Sequence, residues 1–286
     1  MKSNFFFLAI LFVVAFFAFS NVGGIFPTKL NTTGAQSGSY VMVTPVPGSS
    51  DSSLQLKLVK FKGCSTTAAV NFLVDRSGSM AFGKKLPLLQ KGLLSFANKL
   101  SDQSVFGLQT FAEDWTKNIS PGLFSDVKGK ITDVVCKINP NGGTHTKDAF
   151  VKTKGVLEQA QITYPDHNFA LIFISDGIPE TLATNTACPG GQSGEWCGPS
   201  PTNPSLCRCF AQEQDPTQVA DQIKAMGTGI KIYTIAYVEK EDQKLNNKLQ
   251  EMMKRVATTP NDAYMAPNET EIVGILNKIS NEICTQ

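Results

Sequence analysis

Short, wholly apolar runs alternate along this chain with helical stripes, and that alternation is what most restricts its fold. Ala68 to Val74 and Phe169 to Ile174 are runs with little or no polar interruption, the mark of strands covered on both faces. Val105 to Phe111 and Ile230 to Ala236 read as further strands. Between and after them, Leu86, Leu89, Leu93, Phe96 and Leu100 fall at helical spacing, as do Ala149, Phe150, Val156, Leu157 and Ala160. Asp215-Pro216-Thr217-Gln218 is a helix-start signature with Gly227 past its end. A helix follows from about Asp242 to Val256. Asn268 and Glu271 cap a last one striped by Ile272, Ile275, Ile279 and Ile283. The class is α/β: a doubly wound, mainly parallel central sheet flanked by helices, Rossmann-like in form.

The first 63 residues stand apart from that pattern. Lys2 precedes fifteen unbroken apolar residues, Phe5 to Phe19, and the next charge is Lys29. Residues 1–20 therefore read as a signal peptide, with Ala18-Phe19-Ser20 as its cleavage site, or as an uncleaved signal-anchor helix extending to 26. Either reading puts the folded part outside the cytoplasm, extracellular or at the cell surface, with the membrane touched only by an uncleaved segment. Residues 21–63 read as a linker containing one strand near Leu54 to Phe61. The folded domain spans 64–284. With 26 basic and 24 acidic residues the formal charge is only +2, which gives no support to nucleic-acid binding.

In open parallel sheets ligands bind beyond the carboxyl ends of the strands. The first core strand ends in Asp75-Arg76-Ser77-Gly78-Ser79, and the most apolar one in Ser175-Asp176-Gly177. Between them a turn, Asn139-Pro140-Asn141-Gly142-Gly143, delivers Thr144 to a helix start. Asp75, Ser77, Ser79, Thr144 and Asp176 form an all-oxygen donor set, suited to Mg²⁺, with Mn²⁺ and Ca²⁺ as alternatives. Taken singly, Asp75 and Ser77 read equally well as helix caps.

Asp75-x-Ser77-x-Ser79, then Gly143-Thr144, then Asp176-Gly177 resembles the von Willebrand factor type A domain over roughly residues 64–284. All five positions of that family's metal-ion-dependent adhesion site are matched. The resemblance implies direct Mg²⁺ ligation by Ser77 and Ser79, ligation by Thr144 directly or through water, and Asp75 and Asp176 acting mostly through water. It implies an exported adhesion module, not an enzyme, that captures an Asp or Glu carboxylate of a partner protein on the bound cation. A structural or assembly subunit of a surface appendage is the alternative, and a metal-dependent hydrolase a remote one.

The remaining chemistry is in the cysteines and histidines. Cys64 and Cys284 bracket the domain, and their pairing would clip its ends, as in some members of the family. Cys188, Cys197, Cys207 and Cys209 lie in an insertion at about 180–215, expected to be stapled by two bridges of open connectivity. Cys136 is left over, buried or paired. His145 is expected at a helix cap or exposed, with a place near the metal as the alternative, and His167 in a solvated turn. No Ser-His-Asp spacing accompanies them.

Overall fold

The computed structural model describes residues 39–44, 55–60, 67–183, 198–199, 207–227, 229–238, 243–266, 268 and 270–285. The segment 1–20, Cys64, Cys188 and Cys197 lie outside them. Among the described residues no helix is long and apolar enough to cross a membrane.

The chain begins with an antiparallel pair, β1 (Ser39–Thr44) and β2 (Gln55–Lys60). A single strand is expected here, and the described residues form two, the spacer contributing Ser39–Thr44. The body then follows as β3 (Ala68–Asp75), α1 (Lys85–Ala97), β4 (Val105–Phe111), β5 (Trp115–Leu123), α2 (Phe124–Cys136), α3 (Thr146–Thr163) and β6 (Asn168–Ser175). Next come β7 (Glu180–Ala183), β8 (Gly198–Pro199), β9 (Cys207–Phe210), α4 (Thr217–Lys224), β10 (Lys231–Tyr237), α5 (Gln243–Val256), β11 (Ala263–Ala266) and α6 (Glu271–Thr285).

Six strands form the central sheet in the order β11-β10-β6-β3-β4-β5. All neighbours are parallel except β4 and β5, which run antiparallel at one edge. Alternate residues of the buried strands feed two separate cores. Val70, Phe72, Val74, Ile172 and Ile174 face α1, α2 and α6. Ala69, Leu73, Leu171 and Phe173 face α3, α4 and α5. Edge-to-face ring pairs anchor each layer: Phe72 meets Phe96 of α1 at 5.1 Å, and Phe173 meets Phe150 of α3 at 4.9 Å. Strands covered on both faces take apolar side chains at nearly every position, and the buried amides of Asn71 in β3 and Gln109 in β4 are exceptions that bond each other.

The expected α6 stripe holds at three of its four positions and differs at one. Ile272, Leu276, Ile279 and Ile283 are the buried positions, whereas Ile275 is half-buried. The i, i+4, i+7, i+11 set follows the 3.6-residue period better than the all-isoleucine one. Gly227 adopts φ +53° beyond α4, as its position past the helix end requires. The insertion forms a three-stranded antiparallel sheet, β7-β9-β8, with Cys207 and Cys209 on its central strand. Cys136, expected buried or paired, is free and exposed at the last residue of α2, because that helix buries only Phe124, Ile131 and Val135. Cys284 is disulfide-bonded.

Strand order fixes where a ligand site belongs. From β3 the chain moves outward to β4 and β5, then returns to β6 on the other side of β3. Connections therefore diverge between β3 and β6, and the carboxyl ends of these two strands border the crevice of the topological switch point. Those ends carry Asp75 and, one residue beyond β6, Asp176.

Candidate metal centre

Three loops meet over this crevice and are tied by main-chain hydrogen bonds. Arg76 N–H donates to Phe111 O at 2.8 Å, which fixes the β3 loop to the end of β4. Gly78 N–H donates to Gly142 O at 2.9 Å, and Asn141 N–H to Arg76 O at 2.7 Å. The Asn139–Gly143 turn is thereby laid along the Arg76–Gly78 segment. Gly142 makes this possible by taking φ +75°, a left-handed conformation that side chains disfavour. His145 N–H donates to Ala112 O at 2.9 Å, so Thr144 sits between two anchored positions and is nearly buried. His145 occupies the N-cap of α3 without a side-chain cap bond. His167 stands in a turn, its Nε2 at 3.0 Å from Gln103 O.

The side chains form one hydrogen-bonded cluster. Asp75 is wholly buried; its Oδ1 accepts Ser77 N–H at 2.7 Å and its Oδ2 accepts Ser175 Oγ–H at 2.6 Å. Ser77 Oγ and Ser79 Oγ lie 3.1 Å apart. Ser79 Oγ–H donates to Asp176 Oδ1 at 2.7 Å. The other oxygen of Asp176 meets Lys85 Nζ at 2.7 Å, an ion pair in which the carboxylate side chain is 0% and the lysine 8% exposed. Asp75, Ser77, Ser79 and Asp176, expected together from the sequence, are thus joined, and the loop bonds bring Thr144 to the same edge of the sheet.

Burial dominates the electrostatics. The Asp75 carboxyl is pushed up to about 7 by desolvation first and by the neighbouring Asp176 charge second. Hydrogen bonds from Ser175 and Ser77 act in the opposite direction and do not offset this. A carboxylate that is costly to ionise because it is buried, and buried beside another negative charge, is one a cation would relieve. With two hydroxyls 3.1 Å apart beside it, the donor set fits a hard divalent ion.

Two members of the cluster have no role in the sequence reading. Ser175 orients Asp75, and its place beside the Asp176-Gly177 motif was its only sequence signal. Lys85 opens α1, where Lys84 is the N-cap and no acidic residue occupies the first turn. A cation there opposes the helix dipole, and that local conflict is the signal that marked it.

Residues 70–178 match the sequence profile of the von Willebrand factor type A domain. No curated protein sequence matches the chain. Among solved structures, the pilus adhesin SpaC from Lactobacillus rhamnosus GG superposes with a TM-score of 0.57 at 15% identity, over 76% of this chain and 30% of its own. The vWF domain of the type V pili tip protein Mfa5 from Porphyromonas gingivalis gives 0.55 at 15% identity, over 76% and 94%. Proximal thread matrix protein 1 from the mussel byssus, in a form with a zinc-occupied MIDAS motif, gives 0.53 at 16% identity, over 78% and 49%. The chain thus spans less than half the length of the adhesin and the byssus protein. At these identities the likeness is one of fold. Residues 70–178 thus match the von Willebrand factor type A domain, and the sheet and helices around them share that domain's fold.

Proposed function

We propose that this is an exported protein-binding module whose partner is held through a divalent cation at Asp75, Ser77, Ser79, Thr144 and Asp176. The observation that carries the reading is the Asp75–Ser77–Ser79–Asp176 cluster, closed by bonds of 2.7 to 3.1 Å where connections diverge between β3 and β6. Nothing in a merely structural cap needs residues from both strand ends, since a cap uses one side chain.

Ser77, Ser79 and Thr144 supply neutral oxygens, while Asp75 and Asp176 supply charge from positions already committed to protein donors. When bound, the cation offers a Lewis-acidic position that a partner carboxylate can fill. The protein's part is to hold the hydroxyls together and to keep the carboxylates from swinging in. Mg²⁺ is the first choice, with Mn²⁺ and Ca²⁺ as alternatives. The zinc-occupied motif of the byssus protein adds Zn²⁺ to the metals to be tried. The β7-β9-β8 insertion leaves the sheet four residues after Asp176, and Ala211 N–H to Pro179 O at 3.0 Å closes its base. Its departure so soon after Asp176 supports a role for it in selecting the partner.

The test is calorimetric titration of wild type, Asp75→Ala with Ser77→Ala, and Asp176→Ala with Mg²⁺, Mn²⁺ and Zn²⁺. Saturable binding by wild type, lost in the variants, is the expected result. Binding that survives the double substitution places the metal elsewhere.

A second reading rests on the neighbours that are appendage proteins, the pilus tip protein and the PilB minor pilin from Streptococcus sanguinis, the latter with TM-score 0.55 at 15% identity. It makes this chain an assembly subunit. Sedimentation separates the two, since a subunit of that kind forms large assemblies and a receptor-like module does not.

A further inference from the structure

We propose that Lys85 is a built-in counter-cation that weakens the hold of this site on its divalent metal. The inference rests on the metal-binding reading above and goes beyond it to how strongly the metal is held.

The Lys85 ammonium lies 2.7 Å from Asp176 Oδ2, with the carboxylate side chain shut off from solvent and the lysine nearly so. Solvent screening at such a site is weaker than at the surface, so the ammonium opposes a second cation bound beside Asp176. Its stem is held in place. Lys85 is the first residue of α1, and its carbonyl accepts the Tyr237 hydroxyl at 3.1 Å from the end of β10. Placing a cation in the first helical turn opposes the helix dipole, and Asp176 is the partner that offsets this.

Charge counting gives the consequence. Counting these three groups alone, with both carboxylates ionised, Asp75, Asp176 and Lys85 sum to −1, so a divalent ion brings their total to +1. Without Lys85 the same ion would meet −2 and leave zero. The ammonium also competes for Asp176 Oδ2, while Ser79 holds Oδ1, so neither oxygen is open to the metal without breaking a bond. Both effects lower metal affinity, and both depend on the charge at position 85.

Lys85→Met removes the charge and keeps much of the stem; Lys85→Gln keeps a hydrogen-bond donor; Lys85→Arg keeps the charge. Mg²⁺ and Mn²⁺ affinities are measured by calorimetry, and the metal-induced rise in melting temperature is read in parallel. The expected result is roughly tenfold or greater tightening in Lys85→Met and Lys85→Gln, a larger metal-induced thermal shift, and wild-type affinity in Lys85→Arg. Damage to the fold weakens metal binding, so a gain in affinity cannot come from damage. Wild type that binds metal with neutral variants no tighter overturns the role of Lys85 and leaves the metal site standing. Metal binding by the neutral variants but not by wild type supports the role in its strongest form. Absence of binding in all four proteins overturns both.

Discussion

Ser175 Oγ donates a 2.6 Å hydrogen bond to Asp75 Oδ2, joining the last residues of two adjacent strands across the floor of the site. The same hydroxyl lies 3.0 Å from Gly177 O and 3.3 Å from Gly177 N, so it also shapes the turn that carries Asp176. One side chain thereby orients one carboxylate and the loop of the other. Ser175→Ala is expected to leave the sheet intact, because the residue is small and the strand remains paired. It removes a bond to a charged group, a loss of about 1.5–3 kcal/mol at a buried site. Metal affinity is expected to fall roughly tenfold or more, read by titration with Mg²⁺, and affinity equal to wild type would show that Asp75 needs no such partner.

Asp75 also sets a pH dependence. Its folded-state carboxyl is raised from 3.8 to about 7 by burial and then by Asp176. The folded protein therefore keeps a proton that the unfolded chain releases, and this contribution to stability is full below about pH 3.8 and lost as pH rises toward 7. Metal-free protein is expected to melt at lower temperature near pH 8 than near pH 5 through this group, and Asp75→Asn to flatten that slope. Binding of a divalent ion must expel the proton. Calorimetry in buffers of different ionisation enthalpy should show close to one proton released per metal near pH 6 and little near pH 9. A release that does not change with pH would remove Asp75 from the site.

The sheet contains a buried amide pair that restricts a neighbouring glycine. Asn71 of β3 and Gln109 of β4 bond each other in both directions, one of these bonds at 3.0 Å, and both are shut off from water. Gly107 stands opposite Asn71 in the register, and a Cβ there would come within 2.2 Å of Asn71 Oδ1. Gly107→Ala is therefore expected to force the amide pair apart, destabilising the domain by about 2–3 kcal/mol. Asn71→Ala in the same background should recover part of the loss by making room. Denaturant unfolding of both variants and of Asn71→Ala alone measures this, and full additivity would mean the two positions do not meet.

The fold was legible wherever burial on both faces forced a mostly apolar run. β3, β4, β6 and β10 all announce themselves this way, and so do the helices with continuous stripes. β5 and α2 do not. β5 is an edge strand with only Ile119 buried, interrupted by Pro121 and Gly122, and an edge can carry proline because one side of its backbone needs no partner. α2 buries three residues in thirteen, too sparse a stripe to read. The five oxygen donors were legible from strand-end motifs, since topology alone brings strand ends together. Lys85 was not, because its meaning depends on Asp176, which lies 91 residues away, and no spacing rule links a helix start to a distant strand.

Cys284 is disulfide-bonded near the end of α6, and Cys64, four residues before β3, is its expected partner. Such a bridge would fasten the last helix to the entrance of the central sheet's innermost strand. α6 already buries Ile272, Leu276, Ile279 and Ile283 against the layer that contains Phe72, so the bridge would add restraint to a helix that packs without it. Closing a loop of about 220 residues contributes about 5 kcal/mol in the chain-entropy account. Non-reducing peptide mapping should therefore recover a Cys64–Cys284 peptide pair. Cys64→Ser should lower the melting temperature while metal affinity stays within about twofold of wild type, because the described hydrogen bonds around Asp75 and Asp176 involve no cysteine. A free Cys64 thiol in the folded, oxidised protein would assign Cys284 to another partner. Loss of metal binding on breaking the bridge would instead tie the site to the position of α6.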